Sequence, residues 1–148
     1  MGWIFLWAFL DKTFGLGFAT APGNAWIIGG SPTDGFLKFA TKGPFAETFQ
    51  SLAGVGLVDW LFMLGLLFVG LGLLLGVWVR LASYSGALIL MLMYLAGFIW
   101  PEHNPFMDEH IMYAVLMFAF PLADSSVIGI SEWWNKTSLV RKYRILRS

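Results

Sequence analysis

Two runs of twenty residues without a charged side chain stand almost back to back in this chain, 60–79 and 81–100, with Arg80 alone between them. A helix rises about 1.5 Å per residue, so about twenty apolar residues cross a hydrocarbon core of about 30 Å. Each run therefore predicts a membrane-spanning helix, and so short a connection makes the two antiparallel. A third stretch, 111–130, is apolar apart from Asp124, with Pro121 marking a kink or an interface. The start, 1–18, is apolar apart from Asp11-Lys12. Ala19-Thr20-Ala21 imitates the cleavage site of a secretory leader, but no basic segment precedes it, two charges interrupt the apolar stretch and Pro22 follows directly. The first segment is accordingly expected to stay as a helix.

Composition agrees. Hydrophobic residues make up 58% of the 148 and charged ones 12%, against about 25% charged in an ordinary soluble protein. Net charge is zero, which leaves no basic excess to neutralise a nucleic-acid backbone, and nucleic acid is not expected as a partner. The absence of cysteine excludes disulfides, thiol catalysis, cysteine-ligated zinc and cysteine-ligated iron–sulfur clusters. The expected fold is an all-α integral membrane four-helix bundle in domain 1–130, with spans at about 1–18, 57–79, 81–100 and 110–130. A basic tail, 131–148, follows it.

Residues 19–56 are rich in Gly, Pro, Thr and aromatics and hold no long apolar run. They predict an outer cap. Within it, 33–37 after Ser31-Pro32 and 44–52 after Gly43 predict short interfacial helices, the second with Phe45, Phe49 and Leu52 on one side. Orientation follows from the basic residues. Arg80, Lys136, Arg141, Lys142, Arg144 and Arg147 fall on one side and Lys12, Lys38 and Lys42 on the other, so the first side, with both termini, is cytoplasmic. Trp60 and Trp100 then lie at the outer interface and Trp3, Trp78, Trp133 and Trp134 at the inner one, as an aromatic belt requires. Gly65, Gly70, Gly72 and Gly76 in the second span, with Ala82 and Gly86 in the third, let backbones approach closely. Spacing alone leaves open whether the partner is another helix of the chain or a second copy in a homo-oligomer.

Ionisable residues at membrane depth cost about 2.5–3.5 kcal/mol on insertion scales and so need a partner or a purpose. Asp11 in the first helix, Asp59 at the outer end of the second and His110 at the outer end of the fourth are each brought to the outer half. They form the candidate proton-exchanging set. Lys12, Trp7, Phe14, Trp60, Asp108 and Tyr113 are the candidate ligand-lining residues around them. Each has a plainer role too: Asp11 as an interhelical lock, Asp108 and Glu109 as first-turn carboxylates at a helix N-terminus, and the tryptophans as interface anchors. No metal is expected, since His103 and His110 match no established ligand spacing. No haem is expected, since both histidines lie on one side.

The segment Gly2-Trp3-Ile4-Phe5-Leu6-Trp7-Ala8-Phe9-Leu10-Asp11-Lys12-Thr13-Phe14-Gly15 resembles the first helix of the DoxX/DoxD membrane proteins. Asn104-Pro105-Phe106-Met107-Asp108-Glu109-His110-Ile111-Met112-Tyr113-Ala114 resembles the start of their last helix. Gly30-Ser31-Pro32-Thr33-Asp34-Gly35-Phe36-Leu37 with Gly43-Pro44-Phe45 is similar to members with a long first outer loop. The resemblance implies a four-helix bundle in the plasma membrane of a prokaryote. It also implies a link to quinones, the family's name coming from a subunit associated with terminal quinol oxidase and with thiosulfate:quinone oxidation. The expected function is thus a membrane subunit of a quinone-linked oxidoreductase, with a quinone or similar amphipath at the outer mouth. A partner protein supplies or accepts the electrons. The alternative is a non-catalytic anchor of a larger complex. A transporter is disfavoured, because the inner halves of the helices carry few polar residues beyond Ser83, Tyr84, Ser85 and Asp124.

Overall fold

The structure is a computed structural model and describes residues 1–98, 106–122, 129–143 and 146. Regular structure among the described residues is entirely helical. In chain order it comprises α1 (Gly2–Phe14), α2 (Asp34–Phe39), α3 (Ala46–Gln50), α4 (Gly56–Leu75), α5 (Val79–Gly97), α6 (Glu109–Ala119), α7 (Ser131–Asn135) and α8 (Ser138–Lys142). Single 3-10 turns stand at Pro22–Asn24, Trp26–Ile28 and Phe120–Leu122.

Among the described residues two helices, α4 and α5, are long and apolar enough to cross a membrane, with mean hydropathy of 2.3 and 1.5 over their most apolar stretches. Only 33% and 39% of those stretches are buried inside the chain. The core helix of a water-soluble protein is mostly buried, whereas here Leu57, Leu61, Leu64, Leu71 and Leu74 of α4 and Leu88 and Leu92 of α5 are exposed. Both helices occupy the expected segments, shifted by a few residues.

Neighbouring helices pack in the order α1 on α4, α4 on α5 and α5 on α6. All four meet in one core, where Phe5 of α1 joins Met63, Leu66 and Val69 of α4, Ala87 and Leu90 of α5, and Ala114 and Met117 of α6. Close backbone approach is visible at the glycines. A methyl group added to Gly70 would stand 2.7 Å from the Leu6 backbone nitrogen, and one on Gly72 would stand 2.8 Å from the Ala82 Cβ. Both contacts lie within the chain.

The first and last long helices are shorter than expected. α1 ends at Phe14 because Gly15 turns left-handed, its N–H donating back to the Asp11 carbonyl at 2.8 Å. α6 ends at Ala119 and tightens into the Phe120–Leu122 turn, which contains Pro121. The cap carries helices at 34–39 and 46–50, within a few residues of the two short helices expected there. Trp100, Glu102, His103, Asn104, Asp124, Arg144 and Arg147 lie outside the described residues, so the expectations placed on them have no structural counterpart.

Helix ends leave carbonyl groups without intrahelical partners, and the surrounding segments dock on them. The Lys42 N–H donates to the Ala96 carbonyl at 2.9 Å, which ties the cap to the end of α5. At the opposite end, the Ile130 N–H donates to the Leu75 carbonyl at 3.0 Å. Gly129 makes that second approach feasible: it has φ +68°, and any side chain there would strike the Leu75 carbonyl oxygen.

Candidate functional site

The cap helices roof a cavity of about 540 Å³, within the usual range of about 300–1,000 Å³ for small-molecule sites. Its walls come from Phe36 and Leu37 of α2, Phe49 of α3, Leu61 and Phe62 of α4, and Leu88, Ile89, Leu92 and Met93 of α5. Polar lining is sparse, with Thr33 at the roof and Ser85 on α5. Lys12 is the charged residue in the wall. Its Nζ donates to the Pro32 carbonyl at 3.3 Å and stands 6.0 Å from the centre of the Phe62 ring, a geometry in which the ring face attracts the cation. A second, more polar cavity of about 460 Å³ shares Lys12, Pro32 and Phe36 with the first and extends to Asn24, Ser31 and Asp34. Lys12 therefore stands between an apolar and a polar cavity.

The three candidate proton-exchanging residues are each engaged separately. Asp11 is 2% exposed, and its carboxylate accepts the Phe18 N–H at 3.2 Å and the Ala19 N–H at 3.0 Å. It thereby pins the chain leaving α1. Asp59, in the first turn of α4, accepts the Ser31 hydroxyl at 2.8 Å, the Thr33 hydroxyl at 2.6 Å and the Thr33 N–H at 3.2 Å on one oxygen. That knot clamps the cap onto α4. His110 Nδ1 lies 2.7 Å from Asp108, whose other oxygen accepts the Ile111 N–H at 3.0 Å as the N-cap of α6. Among the described residues no hydrogen bond or ion pair joins any two of Asp11, Asp59 and His110.

Of the other predicted lining residues, Lys12 alone borders the large cavity. Trp7 packs between Trp3, at 5.7 Å, and Phe18, at 5.1 Å. Phe14 is exposed. Trp60 meets Trp26 edge-on at 4.6 Å, and Tyr113 packs on the edge of the four-helix core. The cavity's principal walls went unrecognised in sequence because Leu, Ile and Phe on a long apolar helix look alike whether they face lipid, core or cavity. The one available signal was the apolar side of the second cap helix, Phe45, Phe49 and Leu52, of which Phe49 and Leu52 line the cavity while Phe45 is exposed away from it.

Among the described residues no group of three His, Asp or Glu side chains is arranged to hold a metal ion, and His103 lies outside them. No family model, no curated protein and no solved structure matches this chain, so the likeness to the DoxX/DoxD proteins rests on the quoted segments alone.

Proposed function

We propose that this chain is an integral membrane protein in which α1, α4, α5 and α6 form an antiparallel bundle with the termini in the cytoplasm, and that it holds an amphipathic ligand beneath the α2–α3 cap. The observation that carries this reading is the cavity: an apolar slot that opens among exposed apolar helix faces and presents a single ammonium near its roof. An apolar pocket with few convergent polar groups is the usual form of such a site. The exposed leucines of α4 outside the cavity, Leu57, Leu64, Leu71 and Leu74, are at home against lipid chains, and the basic residues after α6 support the cytoplasmic orientation.

On the quinone-linked form of this reading, suggested by the DoxX/DoxD resemblance, the ligand is a quinone whose carbonyl oxygen accepts a hydrogen bond from Lys12. A partner protein then carries the electrons, and the chain is one subunit of a plasma-membrane oxidoreductase. The second reading, a non-catalytic organising subunit, draws on a specific observation: Asp11, Asp59 and Asp108 each accept hydrogen bonds from backbone or hydroxyl donors that hold neighbouring segments in place. The test is to purify the protein from its own membrane in mild detergent and to identify the small molecules and proteins that come with it. A stoichiometric amphipath supports a ligand-binding subunit, and a quinone with a redox-active protein supports the oxidoreductase form. A partner complex with no small molecule at all overturns the ligand reading in favour of the organising subunit.

A further inference from the structure

We propose that the large cavity takes a long-chain carboxylic acid, its carboxylate on the Lys12 ammonium beneath the cap and its alkyl chain laid between α4 and α5 towards Ser85. This rests on reading the cavity as a ligand site and narrows the ligand from any amphipath to an acid. The shape is the first argument. Ser85 and Ala96 both line the cavity, and the helix between them rises about 16 Å. Along α4 the lining runs from Val58 to Gly65, a rise of about 10 Å. The slot is therefore long, walled by Phe62, Leu88, Ile89 and Leu92 along its length, and suits a single chain better than a broad ring.

Charge is the second argument. A lysine carries three donors, and Lys12 spends one on the Pro32 carbonyl. Among the described residues no carboxylate forms an ion pair with Lys12: Asp11 accepts the Phe18 and Ala19 amides, Asp59 accepts Ser31 and Thr33, and Asp34 pairs with Lys38 at 2.8 Å through one oxygen while its other oxygen is buried without a hydrogen bond. The end of α1 contributes about half a negative charge. An ammonium in an apolar wall is costly unless paired; the Asp11 charge acts on Lys12 without a hydrogen bond or ion pair between them, and the hydrogen-bonded Pro32 carbonyl is neutral. The two remaining N–H groups match the two oxygens of a carboxylate. A phosphate monoester carries about −1.5 to −2 charges, and among the described residues the lining holds no second cation to meet them.

The experiment uses the full chain in phosphatidylcholine nanodiscs, titrated with palmitic acid and separately with its methyl ester, with bound ligand counted by native mass spectrometry. Wild type is expected to prefer the acid by about tenfold or more, the margin that a hydrogen bond to a charged group usually gives. Lys12→Met should erase that preference, Lys12→Arg should restore it, and Met93→Trp, which fills the slot, should block both ligands. Equal binding of acid and ester by wild type, with loss of both in Met93→Trp, overturns the acid while the cavity remains a ligand site. Binding of neither ligand, or binding indifferent to Met93→Trp, overturns the inference and the ligand site together. If Lys12→Met does not fold, the comparison of acid and ester on wild type and Lys12→Arg still decides.

Discussion

Asp11 and Asp59 are enclosed at 2% and 7% exposure, and each holds a segment of the cap in place. Removing the Asp11 carboxylate strands the Phe18 and Ala19 amides, and hydrogen bonds to a charged group contribute about 1.5–3 kcal/mol. Asp11→Ala is therefore expected to lower the thermal unfolding midpoint in detergent clearly. An unchanged midpoint would remove the pinning role. The Asp59 knot makes a second, independent prediction. Asp59→Ala and Thr33→Val break the same contact, so their destabilisations should fall well short of additive in the double variant, and both should hasten proteolysis within 19–56. Full additivity would mean that the two residues act separately. At α6, Asp108→Ala removes an N-cap and should cost about 1 kcal/mol. His110→Ala should add little in that background, because its observed partner is Asp108 itself; a large further loss would reveal another role for His110.

Helices in lipid gain little from excluding water from one another, so they associate through close packing and interhelical hydrogen bonds. Gly70 and Gly72 lie on two seams of α4, the first facing α1 and the second facing α5. Leucine at either position has to displace backbone or a packed Ala82, and the expected result is a marked loss of thermal stability in detergent. Gly35→Ala, with no atom within 4 Å of the added methyl, is the control that should cost no stability and can raise it by up to about 1 kcal/mol through helix propensity. If Gly70→Leu and Gly72→Leu behave like the control, the packing of α1, α4 and α5 described above is wrong. Gly76 plays a different part from its neighbour at GxxxG spacing. It ends α4 in a left-handed turn at φ +68°, so Gly76→Leu acts through backbone strain, which sequence spacing by itself does not separate from a packing effect.

The proposed membrane topology of the whole chain is tested most directly by labelling, because the chain has no native cysteine to remove. Lys38→Cys in the cap should react with an impermeant maleimide from outside intact cells, and Lys136→Cys only after the cells are opened. The reverse pattern would invert the orientation. Both segments are suitable reporters because Lys38 and Lys136 are exposed and stand near opposite ends of the helix core. The cap hangs from α4 at the Asp59 knot and from α5 at the Lys42–Ala96 hydrogen bond.

Hydropathy and length were enough to place α4 and α5, since an uncharged run of twenty residues has few other folds open to it. Pro-Gly punctuation and apolar spacing were enough to place the two short cap helices. The N-cap role of Asp108 was also legible, because it depends on neighbours three positions away. What lay beyond the sequence was the choice among partners. Asp11 takes the amides of Phe18 and Ala19, Asp59 takes Ser31 and Thr33, and Gly70 faces Leu6. The same residue types would suit other partners at the same depth. Which face of α4 and α5 borders the cavity was equally hidden, because an apolar residue is acceptable against lipid, core or void. Only the angular placement of each helix around its axis, set by the packing of all its neighbours together, brings Lys12 to the cavity wall and turns Asp11, its neighbour in sequence, away to the loop.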